Sequence, residues 1–180
     1  MTSRRTLPTL FGLLALLGCS GTDANSLMVG QPAPPFTLHD QDGKLRRLSD
    51  YAGKWLVVYF YPKDDTPGCT KEACHFRDDM AKLHALGVQL VGISLDSSAS
   101  HDQFARKFRL PFPLLADDGG TVARRYDAYW SFAFIRFARR HTFIIDPAGH
   151  IAKIYRNVDP DTHSAQVITD IKTLQQRSGA

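Results

Sequence analysis

Two cysteines five residues apart, Cys69 and Cys74, lie in the stretch Pro62-Lys-Asp-Asp-Thr-Pro-Gly-Cys-Thr-Lys-Glu-Ala-Cys74, where one periodic pattern gives way to another. Such a pair offers sulfur chemistry: attack by a thiolate, then disulfide formation. Position decides how reactive the sulfur is. The first amides of a helix have no partners within it and its dipole end is positive, so a negative charge is favoured there. A free thiol has a pKa of roughly 8.5, and helix N-termini with nearby cations bring that to about 3.5–7.5. Thr66, three residues before Cys69, supplies a hydroxyl that both donates and accepts. Pro62 and Pro67 fix φ and lack an N–H, so they stiffen the loop and shield the sulfur.

The neighbouring patterns put Cys69 at such a helix start. Leu56-Val-Val-Tyr-Phe-Tyr61 is a β-branched and aromatic run without polar alternation, which predicts a strand buried on both faces of a mainly parallel sheet. Pro62 ends it. From Ala73 the apolar positions Ala73, Phe76, Met80, Leu83 and Gly87 fall at alternating steps of three and four, the stripe of a helix facing a core. Val88 to Leu95 repeats the buried-strand pattern, and Asp96 to Ser100 loops into a helix carrying Phe104, Ala105 and Phe108. Asp42-Gly43 between alternating segments predicts a β-hairpin over 36–48. Extended residues at Pro113–Leu115, a helix near Thr121–Tyr126, strands at Arg140–Ile145 and Ile151–Arg156, and a last helix near Thr162–Gln176 complete an α/β order. Sites in such sheets lie beyond the carboxyl ends of strands, where Cys69 falls.

Pro62-x-x-x-Thr66-x-x-Cys69 resembles the peroxidatic motif of the peroxiredoxins, and Gly68-Cys-Thr-Lys-Glu-Ala-Cys74 is similar to their Q-type, or bacterioferritin-comigratory, branch. Gly-Gln-Pro-Ala-Pro-Pro-Phe-Thr-Leu at 30–38 and Arg140-His-Thr-Phe-Ile-Ile-Asp146 also look like family blocks, so the likeness runs from about Gly30 to the C-terminus. The resemblance implies a thioredoxin-like three-layer sandwich with a central mixed sheet and an N-terminal β-hairpin. It implies that Cys69 attacks a peroxide and Cys74 resolves the product as an intramolecular disulfide. A thioredoxin-like dithiol reductant then restores both thiols, and no haem, flavin or metal is required. Arg140 matches the family arginine and Glu72 a supporting acid, while the likeness implies a monomer or weak dimer. Read as a strand residue, Arg140 shares a sheet face with Thr142 and Ile144, opposite Arg139 and His141, and its forked donors suit a thiolate and a peroxide oxygen. On one continuous helix the two cysteines point roughly 140° apart and are about 7.5 Å apart along the axis. A disulfide tolerates Cα separations only up to about 7 Å, so the pair predicts unwinding of the first helical turns on oxidation.

The chain is 180 residues with 43% apolar content, enough for one packed domain, assigned here to 28–180. Its net charge of +4 includes Arg4 and Arg5, a balance that argues against nucleic acid as a partner. Residues 1–18 read as a signal segment: the two arginines precede an apolar run from Leu7 to Leu17, too short to span a bilayer. Leu16-Leu-Gly-Cys19 resembles a lipobox, which implies lipidation at Cys19 and a bacterial envelope protein anchored by lipid, facing the periplasm or exterior. Without lipidation the same segment predicts a secreted or periplasmic protein. Residues 19–27 are small and polar, a flexible tether. Of three cysteines, this leaves Cys69 and Cys74 as the thiols of the mature chain.

Tyr126 to Arg140 departs from the branch by being aromatic and basic. Read as a helix, it gathers Tyr126, Tyr129, Trp130, Ala133, Phe134 and Phe137 on one stripe: a core flap over the site, a dimer face or a membrane-surface contact. His75 is the one histidine of seven beside the cysteines and reads as a surface position, since paired metal-ligand spacings with a second cluster are absent. Two rival functions share these residues. An envelope disulfide reductase or maturation factor would ordinarily use C-x-x-C, leaving Thr66 and Arg140 unexplained; a Cu(I) delivery module would use the two thiols and a histidine.

Overall fold

The computed structural model describes residues 26–178, so the signal segment 1–18, Cys19 and most of the tether lie outside the described residues. At its centre is β3 (Trp55–Phe60), the predicted buried run. Its side chains alternate between two apolar layers: Val57 and Tyr59 on one side, followed by Tyr61, and Leu56, Val58 and Phe60 on the other, all at most 1% exposed. Burying each such side chain contributes roughly 1.5–3 kcal/mol, which favours this strand at the middle of the sheet.

A hairpin of β1 (Thr37–Asp40) and β2 (Leu45–Arg47) leads through a 3-10 turn at Leu48–Tyr51 into β3. Then come α1 (Pro67–Asp78), α2 (Met80–Ala85), β4 (Val88–Ser94), α3 (Ser98–Phe108), β5 (Leu114–Ala116) and α4 (Thr121–Arg125). The chain continues with β6 (Tyr129–Phe132), β7 (Ile135–Ala138), β8 (Thr142–Ile145), β9 (Ile151–Tyr155) and α5 (His163–Ser178). Seven strands form one mixed sheet in the order β2-β1-β5-β4-β3-β8-β9. Only β4 pairs in parallel, with β3 and with β5; the other four pairings are antiparallel, so the sheet is mixed and not the mainly parallel one that the buried Leu56–Tyr61 run predicts. One apolar layer joins the sheet to α1, α2, α3 and α5, and the other packs Phe36, Tyr51, Val122 and Tyr126 beneath it. The three-layer mixed α/β sandwich and the N-terminal hairpin agree with the sequence.

Three local expectations change. The helix carrying the stripe from Ala73 is two helices: α1 stops at Asp78, Asp79 adopts φ −92° and ψ 1°, and α2 restarts at Met80. Gly87 lies beyond α2 with φ +68°, so it ends the helical region rather than extending the stripe. Residues 126–140 are not a helix: β6 and β7 pair as a two-stranded antiparallel hairpin, with Trp130 opposite Phe137 and their rings stacked at 4.6 Å. Tyr126 follows α4 and is buried in the second layer, Phe137 borders a groove with Pro62 and Arg140, and the hairpin tip is open to solvent. Arg140 precedes β8 in a bend, so the strand-face argument for its direction does not apply.

Candidate active site

Thr66 is extended at φ −88° and ψ 149°, and Pro67 opens α1 with a φ already suited to helix and no N–H to lose. Cys69 is the third helical residue, within the first turn as expected although the helix begins two residues earlier, and it is 1% exposed. The loop before it is held by a buried polar cluster. Asp64 accepts from the Tyr61 hydroxyl at 2.8 Å and from Ser100 Oγ at 2.7 Å, and lies 2.8 Å from His101 Nδ1. Its own amide donates to Asp96 at 2.9 Å. Apart from Tyr61, these partners come from α3 and the turn that follows β4, so the loop before Cys69 is fastened largely from outside its own sequence.

Arg140 reaches the sulfur from the opposite side. Its Nη2 donates to Cys69 Sγ at 3.2 Å, while its Nη1 donates to Glu72 Oε2. A Cβ on Gly68 would stand 3.3 Å from Nη2, closer than such atoms ordinarily approach, so glycine leaves room for the guanidinium against the helix start. Glu72 lies three residues after Cys69 on the same helix and is 1% exposed. Burial pushes its carboxyl up to about 7, against the pull of Arg140 in the other direction. Burial also opposes the Arg140 charge, but Glu72 and Cys69 together hold its pKa above the usual value. The triad can therefore keep a fixed positive charge at a sulfur while a neighbouring carboxyl changes protonation near neutrality.

Cys69, Glu72 and Arg140 are thus brought together. Pro62 is near them: with Phe137, Arg139, Arg140, His141 and Arg156 it lines an open groove of about 830 Å³. A deeper apolar cavity of about 360 Å³ beside Phe36, Tyr51 and Pro147 contains no cysteine. The Thr66 hydroxyl turns back to donate to the Lys63 carbonyl at 2.9 Å and braces the loop instead of meeting the sulfur. Cys74 is half-buried farther along α1, and both thiols are free. His75 is not a bland surface position, because its Nδ1 sits 3.0 Å from the Pro160 carbonyl and ties α1 to the approach to α5.

Two features escape the sequence reading. The Asp64–His101 pair joins residues 37 apart with no local motif, although the buried tyrosine hydroxyl at position 61 demands a polar partner and could have prompted the search. His163 packs edge-on against Phe76 and Tyr155, and its Nε2 lies 2.8 Å from Thr142 Oγ1. Burial brings its pKa down to about 4, so it is neutral at pH 7.

The sequence pattern of the AhpC/TSA family matches residues 29–154. The chain belongs to the AhpC/TSA family. Among curated relatives in it, the chloroplastic peroxiredoxin Q of Sedum lineare is 44% identical over 147 residues, covering 81% of this chain and 78% of that protein. A putative peroxiredoxin bcp of Coxiella burnetii is 44% identical over 149 residues, covering 79% of this chain and 97% of its own length. The solved structure of peroxidoxin BcpB from Mycobacterium tuberculosis superposes with a TM-score of 0.76 at 34% identity, covering 81% of this chain and 96% of that one. The fold is that of these AhpC/TSA neighbours, and the sequence resemblance to the Q-type branch holds.

Proposed function

We propose that this thiol-dependent peroxidase reduces hydrogen peroxide and organic hydroperoxides through Cys69. The observation that carries the assignment is the Arg140 fork, which joins the Cys69 sulfur to buried Glu72 at the first turn of α1. The Cys69 thiolate attacks the terminal peroxide oxygen and the O–O bond breaks. The sulfur becomes a sulfenic acid, and the leaving oxygen takes a proton and departs as water or alcohol. The Cys74 thiol then displaces water from the sulfenic acid, giving the Cys69–Cys74 disulfide. A thioredoxin-like dithiol reduces that disulfide by exchange and is itself oxidised. Helix geometry argues that α1 must open for the second step, since residues five apart on a helix rise about 7.5 Å.

The rival roles lack a matching feature. A disulfide reductase has no use for a guanidinium held on the attacking sulfur, and among the described residues no cluster of three histidine, cysteine or acidic side chains gathers to hold a metal. From the Leu16-Leu-Gly-Cys19 pattern we assign the mature chain a lipid anchor at Cys19, which would hold the enzyme on an envelope membrane. Among the described residues no helix is long and apolar enough to cross a membrane.

Intact-mass spectrometry after one equivalent of peroxide tests the assignment. The reduced protein should lose two hydrogens as the disulfide forms, Cys74→Ser should instead gain oxygen at Cys69, and Cys69→Ser should consume no peroxide. Sustained turnover by Cys69→Ser would overturn it. In the same spectra the lipid-derived mass should vanish in Cys19→Ala.

A further inference from the structure

The β6–β7 hairpin ends in Phe132, Ala133, Phe134 and Ile135, and its three large apolar side chains are 71%, 102% and 61% exposed. Such a run projecting into water is unfavourable unless something covers it. Behind the tip, the hairpin is rimmed by Arg136 and Arg139, both exposed, and neither has a carboxylate partner among the described residues. The groove that contains Arg139 and Arg140 is also lined by Asp159 and by Arg156, which is paired with Asp127. The occupant must therefore be apolar at depth and anionic at its surface. A second copy of this chain would set one basic rim against another, whereas an anionic phospholipid layer complements both features.

The route of the chain supplies a separate argument. The Leu27 amide donates to Asp127 Oδ2 at 2.8 Å, and Arg156 Nη2 donates to the Leu27 carbonyl and to Ser26 Oγ, each at 3.1 Å. Asp127 lies two residues before β6, so residues 26 and 27 are fastened at the base of the hairpin. The chain leading back towards Cys19 therefore leaves the described domain at residue 26, on this edge. We infer that the hairpin tip inserts into the headgroup layer of an anionic bilayer, with Arg136 and Arg139 resting on the phosphates and the groove lined by Arg140 held beside the membrane. The orientation rests on the tether proposed above; the tip's exposure and basic rim stand without it.

Trp130 tests the insertion directly. At about 3.4 Å per residue it sits roughly 7 Å behind Phe132, within the shallow zone of about 5–10 Å occupied by interfacial apolar faces. The full chain carrying Trp55→Phe retains Trp130 as its sole tryptophan. It is mixed with phosphatidylglycerol vesicles whose acyl chains are brominated near the headgroup or near the bilayer centre. Shallow bromines should quench Trp130 by roughly half or more and deep ones much less, as expected for an interfacial element. Phe132→Ser/Phe134→Ser/Ile135→Ser should abolish this quenching while hydrogen peroxide consumption stays unchanged. Protein that floats with the vesicles but leaves Trp130 unquenched overturns the inference and leaves the tether standing. Failure to float overturns both, and peroxide turnover in the same sample reports separately on the enzyme. A dimer in sedimentation that the triple variant dissolves, with no quenching, would assign the tip to a second copy and also overturn the inference.

Discussion

Replacing Arg140 with lysine keeps the charge and removes the fork. The guanidinium meets two groups from two nitrogens, Glu72 Oε2 through Nη1 and Cys69 Sγ through Nη2 at 3.2 Å. One ammonium nitrogen cannot occupy both positions. When Glu72 is ionised the lysine goes to it, because a buried carboxylate left unpaired costs several kcal/mol. The sulfur then loses its donor. Loss of one preorganised donor at a reacting centre costs about 10²–10³ in rate, or about 2.7–4 kcal/mol. Folding stability should fall much less, since the carboxyl, already pushed up to about 7 by burial, takes a proton where the ion pair weakens. The assay is single-turnover oxidation of the reduced protein by peroxide, followed by intrinsic fluorescence in stopped flow at pH 6, 7 and 8, with urea unfolding in parallel. The wild-type rate should bend near pH 7 as Glu72 titrates, and Glu72→Gln should flatten that bend. An Arg140→Lys rate within about twofold of wild type would remove Arg140 from the reacting centre, given the size of effect such donors normally have.

Amide hydrogen exchange across residues 68–78 should accelerate when the Cys69–Cys74 disulfide forms, and equal protection in both redox states would contradict the unwinding step. Acid should destabilise the fold through His163. Burial holds its pKa at about 4, below the unfolded value near 6.5, so the unfolded chain binds more protons between these values. The contribution is intact above the unfolded pKa and is lost as pH falls towards the folded one, to a limit of about 3 kcal/mol. Urea midpoints at pH 7, 5.5 and 4.5 would follow it. Glu72 opposes this trend, because its raised pKa makes stability fall as pH rises from about 4.5 to about 7; Glu72→Gln should therefore steepen the loss on acidification. Gly92→Ala would set a Cβ 2.7 Å from the Tyr59 ring and 2.8 Å from Leu114 in the sheet, and overpacking of about 1–3 kcal/mol should lower Tm by several degrees. An unchanged Tm would show that the Tyr59 layer yields more easily than its packing suggests.

What could be read from the sequence was what depends on near neighbours. The Leu56–Tyr61 run and the Asp42-Gly43 turn each carry their cause within a few residues and lie where expected, and the helix expected to start at Cys69 begins two residues earlier, at Pro67. Tyr126–Arg140 misled because its aromatics fall at helical spacing by coincidence. The turn between β6 and β7 uses Ala133 at φ 49°, a left-handed conformation that glycine or asparagine normally announces. Asp127, at φ 52°, ends α4 in the same unannounced way. Cys69, Glu72 and Arg140 could be named from the sequence, but not how they meet. Arg140 reaches Cys69 from a bend ahead of β8, and Thr66 braces the loop against Lys63; both geometries depend on the packed sheet.

The break at Asp79 sets the length over which α1 can melt as one unit. Its carboxylate accepts from Ser164 Oγ on α5 and from Lys82 Nζ on α2, each at 2.7 Å, so it is a fixed post between two short helices. A helix of 12 residues is near the length at which helices are marginal without tertiary support. Disorder that starts at Cys69 can run along α1 and end at this post, leaving Met80 and Leu83 seated in the core. A single helix running through to Ala85 would spread the same disturbance into the packing beneath β4. The interruption acts as a firebreak: one end of the protein can be rebuilt in each catalytic cycle while the rest keeps its shape.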